Sequence, residues 1–177
     1  MKLWQKNGST VNEIIEKFTV GRDMEFDIQL AAYDVEGSLA HAAMLESIGM
    51  ISKEEAVSIQ KALGNMLADI REGRFQIETG VEDVHSQVEF NLTKAIGEAG
   101  KKIHSGRSRN DQVVVDIKLF LRAEIQNIKN ETKGLFDLLI SLSDQYQHDL
   151  LPGYTHLQIA MPSSFGLWFG AYGEGLT

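Results

Sequence analysis

The chain has 177 residues, 43% of them hydrophobic, and a formal net charge of −8. That length suits one ordinary domain with a sizeable core, and the acidic balance argues against nucleic acid or an anionic membrane surface as the main partner. Cysteine is absent, which excludes disulfides, a thiolate zinc site and a cysteine nucleophile and fits a cytoplasmic location.

The stretch Met1 to Asn7 has no apolar h-region, and no segment approaches the roughly 20 apolar residues of a membrane span, so neither a secretory signal nor a transmembrane helix is predicted. Both prolines, Pro152 and Pro162, fall late in the chain. The segment before them lacks that strong helix breaker, and the fold class predicted is all-α.

In chain order, Val11 to Phe18 is expected to form a short helix. Asp23 to Ser47 forms a longer one, with Met24, Ile28, Ala31, Val35, Leu39, Ala42 and Leu45 at three- and four-residue steps. Gly49 stops it. Ser52 with Glu55 reads as a capping box for a helix from Lys53 to Arg71, whose core stripe is Ala56, Ile59, Leu63, Leu67 and Ile70. Gly73 to Gly80 is a loop or short ribbon. Glu82 to Ile96 is the next helix, with Val84, Val88, Leu92 and Ile96 on one face, ended by Gly97.

From Asp111 to Asp149 the apolar residues Val114, Ile117, Leu121, Ile125, Ile128, Leu135, Leu139, Leu142 and Tyr146 keep close to a 3.5-residue step. Such a helix would run roughly 55 Å at 1.5 Å per residue. It needs other long helices beside it, in a bundle or between subunits. A last helix is expected to start at Pro162. It carries Gly166, Gly170, Gly173 and Gly175, each costing about 1 kcal/mol against alanine, which implies close packing against another helix. The organisation predicted is a small helical domain over 1–112 and the start of a long-helix bundle over 113–177, with the bundle truncated where the chain stops.

Two polar islands carry the chemistry. In the first, His104 to Val113, Ser108 and Asp111 fit a helix-capping pattern, with Arg107 and Arg109 then simply solvated. The alternative is that the helix N–H groups, Arg109 and Asn110 bind a carboxylate, with Gly106 letting the backbone approach it. In the second, Pro152 to Gln158, His156 stands between Thr155 and Gln158. Ahead of a helix starting at Pro162, it would sit near a positive dipole end that favours a neutral ring suited to proton transfer. Ser38 and His41, three apart, share a helix face and suggest a buried polar network or a site wall. His85 and Glu89, four apart, read as a hydrogen-bonded pair; no third ligand has convincing spacing, so no metal is predicted.

These stretches resemble the argininosuccinate lyase family within the fumarase/aspartase superfamily. The family pattern G-R-S-R-N-D-Q-V stands intact as Gly106 to Val113, and G-Y-T-H-L-Q as Gly153 to Gln158. D-x-E-G-S-x-A-H stands as Asp34 to His41, and E-D-V-H as Glu82 to His85. The likeness runs over nearly the whole chain, although a family member is normally more than twice as long.

The resemblance implies a cofactor-free β-elimination that cleaves argininosuccinate to arginine and fumarate in arginine biosynthesis. Removing a weakly acidic proton next to a carboxylate builds a doubly charged intermediate, which fixed donors must stabilise. Ser38, Arg109, Asn110 and Thr155 match family substrate-binding positions, and His156 matches the acid/base histidine. Ser108, His85 and Gln158 are expected to support them. The partner acid/base of the family is a serine on a mobile Gly-Ser-Ser loop that does not occur in this sequence, so the chain alone is expected to be inactive. The family assembles as a homotetramer around a helical bundle and draws its site from three subunits. Three stretches depart from the family pattern. Ile159-Ala160-Met161-Pro162 stands for Arg-Ala-Gln-Pro, Leu167-Trp168 for a His-His pair, and Gln5-Lys6-Asn7-Gly8 for a Gly-Gly-Arg-Phe stretch.

Overall fold

A computed structural model describes residue 18 and residues 21–177, which divide into two compact units, Met1–Leu121 and Arg122–Thr177. Apart from Phe18, the helix expected over Val11 to Phe18 lies outside the described residues.

Among the described residues of the first unit, every regular element is a helix or a 3-10 turn. Helix α1 covers Asp23–Asp27, a 3-10 turn covers Ile28–Leu30, and α2 covers Ala31–Ser47. The single helix expected from Asp23 to Ser47 is therefore broken near its start. The burial pattern gives the reason. Phe26 is 54% and Ile28 36% exposed, whereas Ala31, Val35, Ala42 and Leu45 are fully buried. Only where the apolar stripe meets a core does packing hold a regular helix, and tighter turns are common at helix starts.

Helix α3, Lys53–Arg71, begins with the expected capping box: the Glu55 amide donates to Ser52 Oγ, and the Ser52 amide donates to Glu55 Oε2 at 3.0 Å. Ala56, Ile59 and Leu63 face inward as expected, and the buried stripe continues through Met66, with Leu67 and Ile70 packed at its edge. Helix α4, Val84–Ile96, is capped by Asp83, whose carboxylate accepts from the Ser86 amide at 2.7 Å. Helices α2, α3 and α4 pack around one core that includes Leu45, Ile59, Leu63, Val84 and Leu92. A short helix α5, Glu98–Lys101, followed by a 3-10 turn over Lys102–His104, closes that core with Ile103.

Helix α6, Arg109–Gln145, has 37 residues and is about as long as the apolar period implied. Its start belongs to the first unit, where Gln112 and Asp116 are its buried residues.

In the second unit the rest of α6 is followed by a β-hairpin and by helix α7, Phe165–Glu174. Strands β1, Leu150–Thr155, and β2, Gln158–Ser164, pair antiparallel, with Pro152 opposite Pro162 and an irregularity at Gly153/Tyr154. This corrects the helix start expected at Pro162. A two-stranded ribbon tolerates proline because each strand keeps an edge with no ladder bond to make. Ser164 caps α7 instead, accepting from the Leu167 amide at 3.1 Å.

Helix α7 runs back along α6, and Gly166, Gly170 and Gly173 make the close contact their series implied, while Gly175 ends the helix. A Cβ on Gly166 would lie 2.5 Å from the Ser143 carbonyl oxygen and from Gln147 Cα, so no larger residue fits. Ser143 Oγ donates to the Gly166 carbonyl at 2.7 Å across the same contact. The outer stripe of this unit's long helix stays open, with Ile125 64%, Ile128 61% and Leu135 49% exposed. Among the described residues no helix is long and apolar enough to cross a membrane.

Candidate functional site

The first island is the turn into α6. Gly106 has φ +73°, a left-handed conformation that lets the chain reverse from the Lys102–His104 turn. Asp111 reaches back to the helix start: the Ser108 amide and hydroxyl donate to its Oδ2 at 2.8 and 3.0 Å. Those bonds hold its carboxyl below the usual carboxylate range. Ser108 and Asp111 therefore do cap the helix.

The arginines beside this cap are not simply solvated. Arg107 Nη2 donates to Ser38 Oγ on α2 at 3.0 Å. Arg109 Nη2 donates to Ser86 Oγ on α4 at 3.1 Å, and its Nη1 lies 3.2 Å from Asp83 Oδ1. Arg107 Nε and Arg109 Nε are buried without a hydrogen-bond partner among the described residues. Two guanidinium groups are thus fixed from two different helices at the N-terminus of a third, where the orphan amides also favour negative charge. Asn110 is exposed in the first turn of α6.

Behind the arginines lies a polar cluster that the sequence reading missed. Asp34 and Ser38 stand one turn apart on α2, and Gln112 and Asp116 one turn apart on α6. His85 on α4 completes it. His85 Nδ1 lies 2.9 Å from Asp34 Oδ1 and 3.3 Å from Asp116 Oδ2, and Gln112 Nε2 donates to Asp34 Oδ1 at 3.2 Å. Asp34 and Asp116 are each 1% exposed and His85 3%. The expected His85–Glu89 pair is not formed. His85 points into the core, where two buried carboxyls need a donor, while Glu89 sits at the rim, 3.8 Å from His104 Nδ1. Burial raises the Asp34 carboxyl, partly offset by the Arg107 charge and the Gln112 hydrogen bond. Burial and the neighbouring Asp34 push Asp116 up to about 8. Burial likewise lowers Arg107, against the pull of Asp34 and Asp116. His41, expected to share a network with Ser38, pairs its Nε2 with the Ser105 carbonyl at 2.8 Å instead.

The second island is the tip of the hairpin. Thr155 ends β1, Gln158 opens β2, and His156 and Leu157 form the two-residue turn. Both turn residues have positive φ, +49° and +64°. A turn of this shape is normally built from Asn-Gly or Gly-Gly. Histidine and leucine there hold a strained backbone, and Leu157 is 97% exposed. The hairpin, rather than a helix N-terminus, presents His156, so the dipole argument for its neutral ring does not apply. Of the residues singled out in the sequence, Ser38, His85, Ser108, Arg109 and Asn110 belong to the first unit. Thr155, His156 and Gln158 belong to the second.

Comparison with known proteins supplies the class. The model of the lyase family matches residues 6–177, and the chain belongs to that family. It is 60% identical over 176 residues to an argininosuccinate lyase of Phocaeicola vulgatus and 59% identical to that of Parabacteroides distasonis. In both cases 99% of this chain is covered, and it spans 39% of the relative's length. The argininosuccinate lyase of Thiobacillus denitrificans is 44% identical over 167 residues, covering 94% of this chain and 36% of its own. Among solved structures, a fumarate lyase:delta crystallin from Brucella melitensis matches with a TM-score of 0.73 at 13% identity, over 94% of this chain and 42% of its own. A β-carboxy-cis,cis-muconate cycloisomerase from Acinetobacter calcoaceticus matches at 0.67 and 20% identity, over 93% and 38%. At those identities the structures establish the fold.

Proposed function

We propose that the protein containing this chain is an argininosuccinate lyase, releasing arginine and fumarate by β-elimination without a cofactor. The observation that carries the reading is the 60% identity over 99% of the chain to a relative of that name. Both polar islands lie within the matched stretch.

In this reading Ser38, Arg109, Asn110 and Thr155 hold the substrate's carboxylates. Fixed donors at the start of α6 suit the doubly charged intermediate, because they need no reorganisation as its charge develops. His156 moves a proton to or from the substrate, and its exposed ring on a strained turn is reachable by a ligand. Ser108, His85 and Gln158 support these groups, Ser108 by capping α6 and His85 by bracing the arginine island from behind. The domains are 1–112 and 113–177. The protein works in the cytoplasm as a homotetramer in arginine biosynthesis. The open stripe Ile125, Ile128 and Leu135 supports self-association, since an apolar row of that length is costly to leave in water. The chain alone is inactive.

The test uses two proteins: the 177-residue chain, and a fusion of it to the remaining portion of the Phocaeicola vulgatus relative. Fumarate release from argininosuccinate, followed by ultraviolet absorbance, is expected from the fusion and not from the chain. Turnover that survives His156→Asn unchanged, or an inactive fusion beside an active relative, would refute the reading.

A further inference from the structure

We propose that Asp116 is a positioning residue: it shares one proton with Asp34 beside His85, and that proton keeps the buried cluster charge-balanced so that Arg107 stays on Ser38. The geometry carries the proposal. Three helices meet at one buried point, with His85 Nδ1 within 3.3 Å of a carboxylate oxygen on each of the other two. A ring nitrogen so placed carries its hydrogen, and it can donate well to only one of them. It serves Asp34 Oδ1, while Asp116 Oδ2 has no aligned donor and Asp34 Oδ2 has none at all. Two buried carboxylates facing each other without a donor between them are unstable unless a proton supplies one.

Charge counting calls for one proton in the cluster, and the two carboxyl oxygens without a donor, Asp34 Oδ2 and Asp116 Oδ2, are where it is needed. The fixed cation facing both carboxyls is Arg107. Arg109 also acts on Asp34 but has its own counter-charge in Asp83 at 3.2 Å. Glu89 acts on Arg107 from the rim, where water screens it and His104 lies 3.8 Å away. His41 faces Arg107 from α2, with its ring kept low by burial. Two carboxyls, one arginine and one proton sum to zero. The three donor atoms lie within 4.8 Å of one another, a span a cation would also fill. A divalent ion beside Arg107 would leave a buried net positive charge, which one proton does not.

Loss of the shared proton adds a negative charge at Asp116 and draws the Arg107 guanidinium away from Ser38. The kinetic consequence rests on the lyase reading above; the protonation and the arginine's response do not. Three measurements test the proposal. Infrared spectra of the 177-residue chain are expected to show the carbonyl band of a neutral carboxylic acid at neutral pH, lost as Asp116 ionises near its raised value of about 8 and missing in Asp116→Asn. The nitrogen-15 resonance of the Arg107 guanidinium is expected to shift over the same pH range in the parent and stay fixed in Asp116→Asn. In the fusion, KM for argininosuccinate should rise about tenfold above that pH, the value of one lost charged hydrogen bond, with kcat changed less than about twofold, and Asp116→Asn should flatten the rise. A chain whose carboxyls are all ionised at neutral pH, or whose His85 is an imidazolium there, overturns the shared proton. An Arg107 resonance that ignores the ionisation overturns the positioning role. If Asp116→Asn does not fold, the parent's own band and arginine titration decide both points, and an inactive fusion leaves them decided too.

Discussion

The cluster behind the arginine island and the tip of the hairpin solve opposite problems. The cluster buries Asp34, His85 and Asp116 to within 3% of full burial and balances their charge with Arg107. The tip leaves His156 in water and holds it, with Leu157, in a backbone conformation those residues disfavour. A buried polar group survives because neighbouring helices supply its partner. An exposed strained one gains nothing from packing, and its cost points to a task done by the side chain. In the proposed reading, the first region braces the binding groups and the second presents the acid/base.

The sharpest way to break that contrast is His156→Asn. In the fusion it should lower kcat about 10²–10⁴-fold, the usual contribution of a positioned acid/base, with little change in melting temperature. A large stability loss would make His156 structural. Next comes His85→Ala, which removes the donor to the buried Asp34 carboxyl and should cost about 1–3 kcal/mol, read by urea denaturation of the chain. A cost near zero would mean that the cluster is hydrated. Gly166→Ala forces a methyl onto the Ser143 carbonyl and Gln147 and should destabilise the second unit by about 1–3 kcal/mol, measured by hydrogen exchange along α7. The smallest effect is a gain. Leu157→Gly relieves a positive φ at an exposed position and should stabilise the hairpin by about 1 kcal/mol, seen in the same exchange experiment.

Protonation sharpens the same contrast in stability. Asp116 binds its proton more tightly in the folded chain, at about 8, than in the unfolded one, near 3.9. Between those values the folded state holds more protons, so stability falls as pH rises from about 4 to about 8 and then levels. Asp116→Asn should remove that slope, melting above the parent at about pH 9 and converging on it towards about pH 5. Parallel melting curves would count against the buried proton.

What was legible in the sequence followed from local rules. The Ser52–Glu55 box marks the start of α3 because capping depends on residues three apart. The 3.5-residue step over Val114 to Tyr146 shows as one long helix, and the glycine series after Pro162 shows as a close contact. The hairpin was not legible. Pro152 and Pro162 read as punctuation, and Leu150 to Ser164 lacks the alternation of a strand; the two prolines face each other only once the ribbon forms. The buried cluster was hidden for another reason. Asp34 lies 51 residues from His85 and 78 from Gln112, so no spacing rule joins them. Its trace was present all the same, in polar residues one turn apart on two otherwise apolar helix faces. Ser38 was singled out for the helix face it shares with His41 and for its family match, and its partner is Arg107.

The most direct test of the division between binding and chemistry is to measure kcat and KM for Arg109→Lys and His156→Asn in the same fusion. Arg109→Lys keeps the charge but loses the fixed fork that reaches Ser86 and Asp83. It should act mainly on KM, raising it about tenfold, while His156→Asn acts mainly on kcat. Two variants that fail in the same parameter, or an Arg109→Lys enzyme with unchanged KM, would contradict the account.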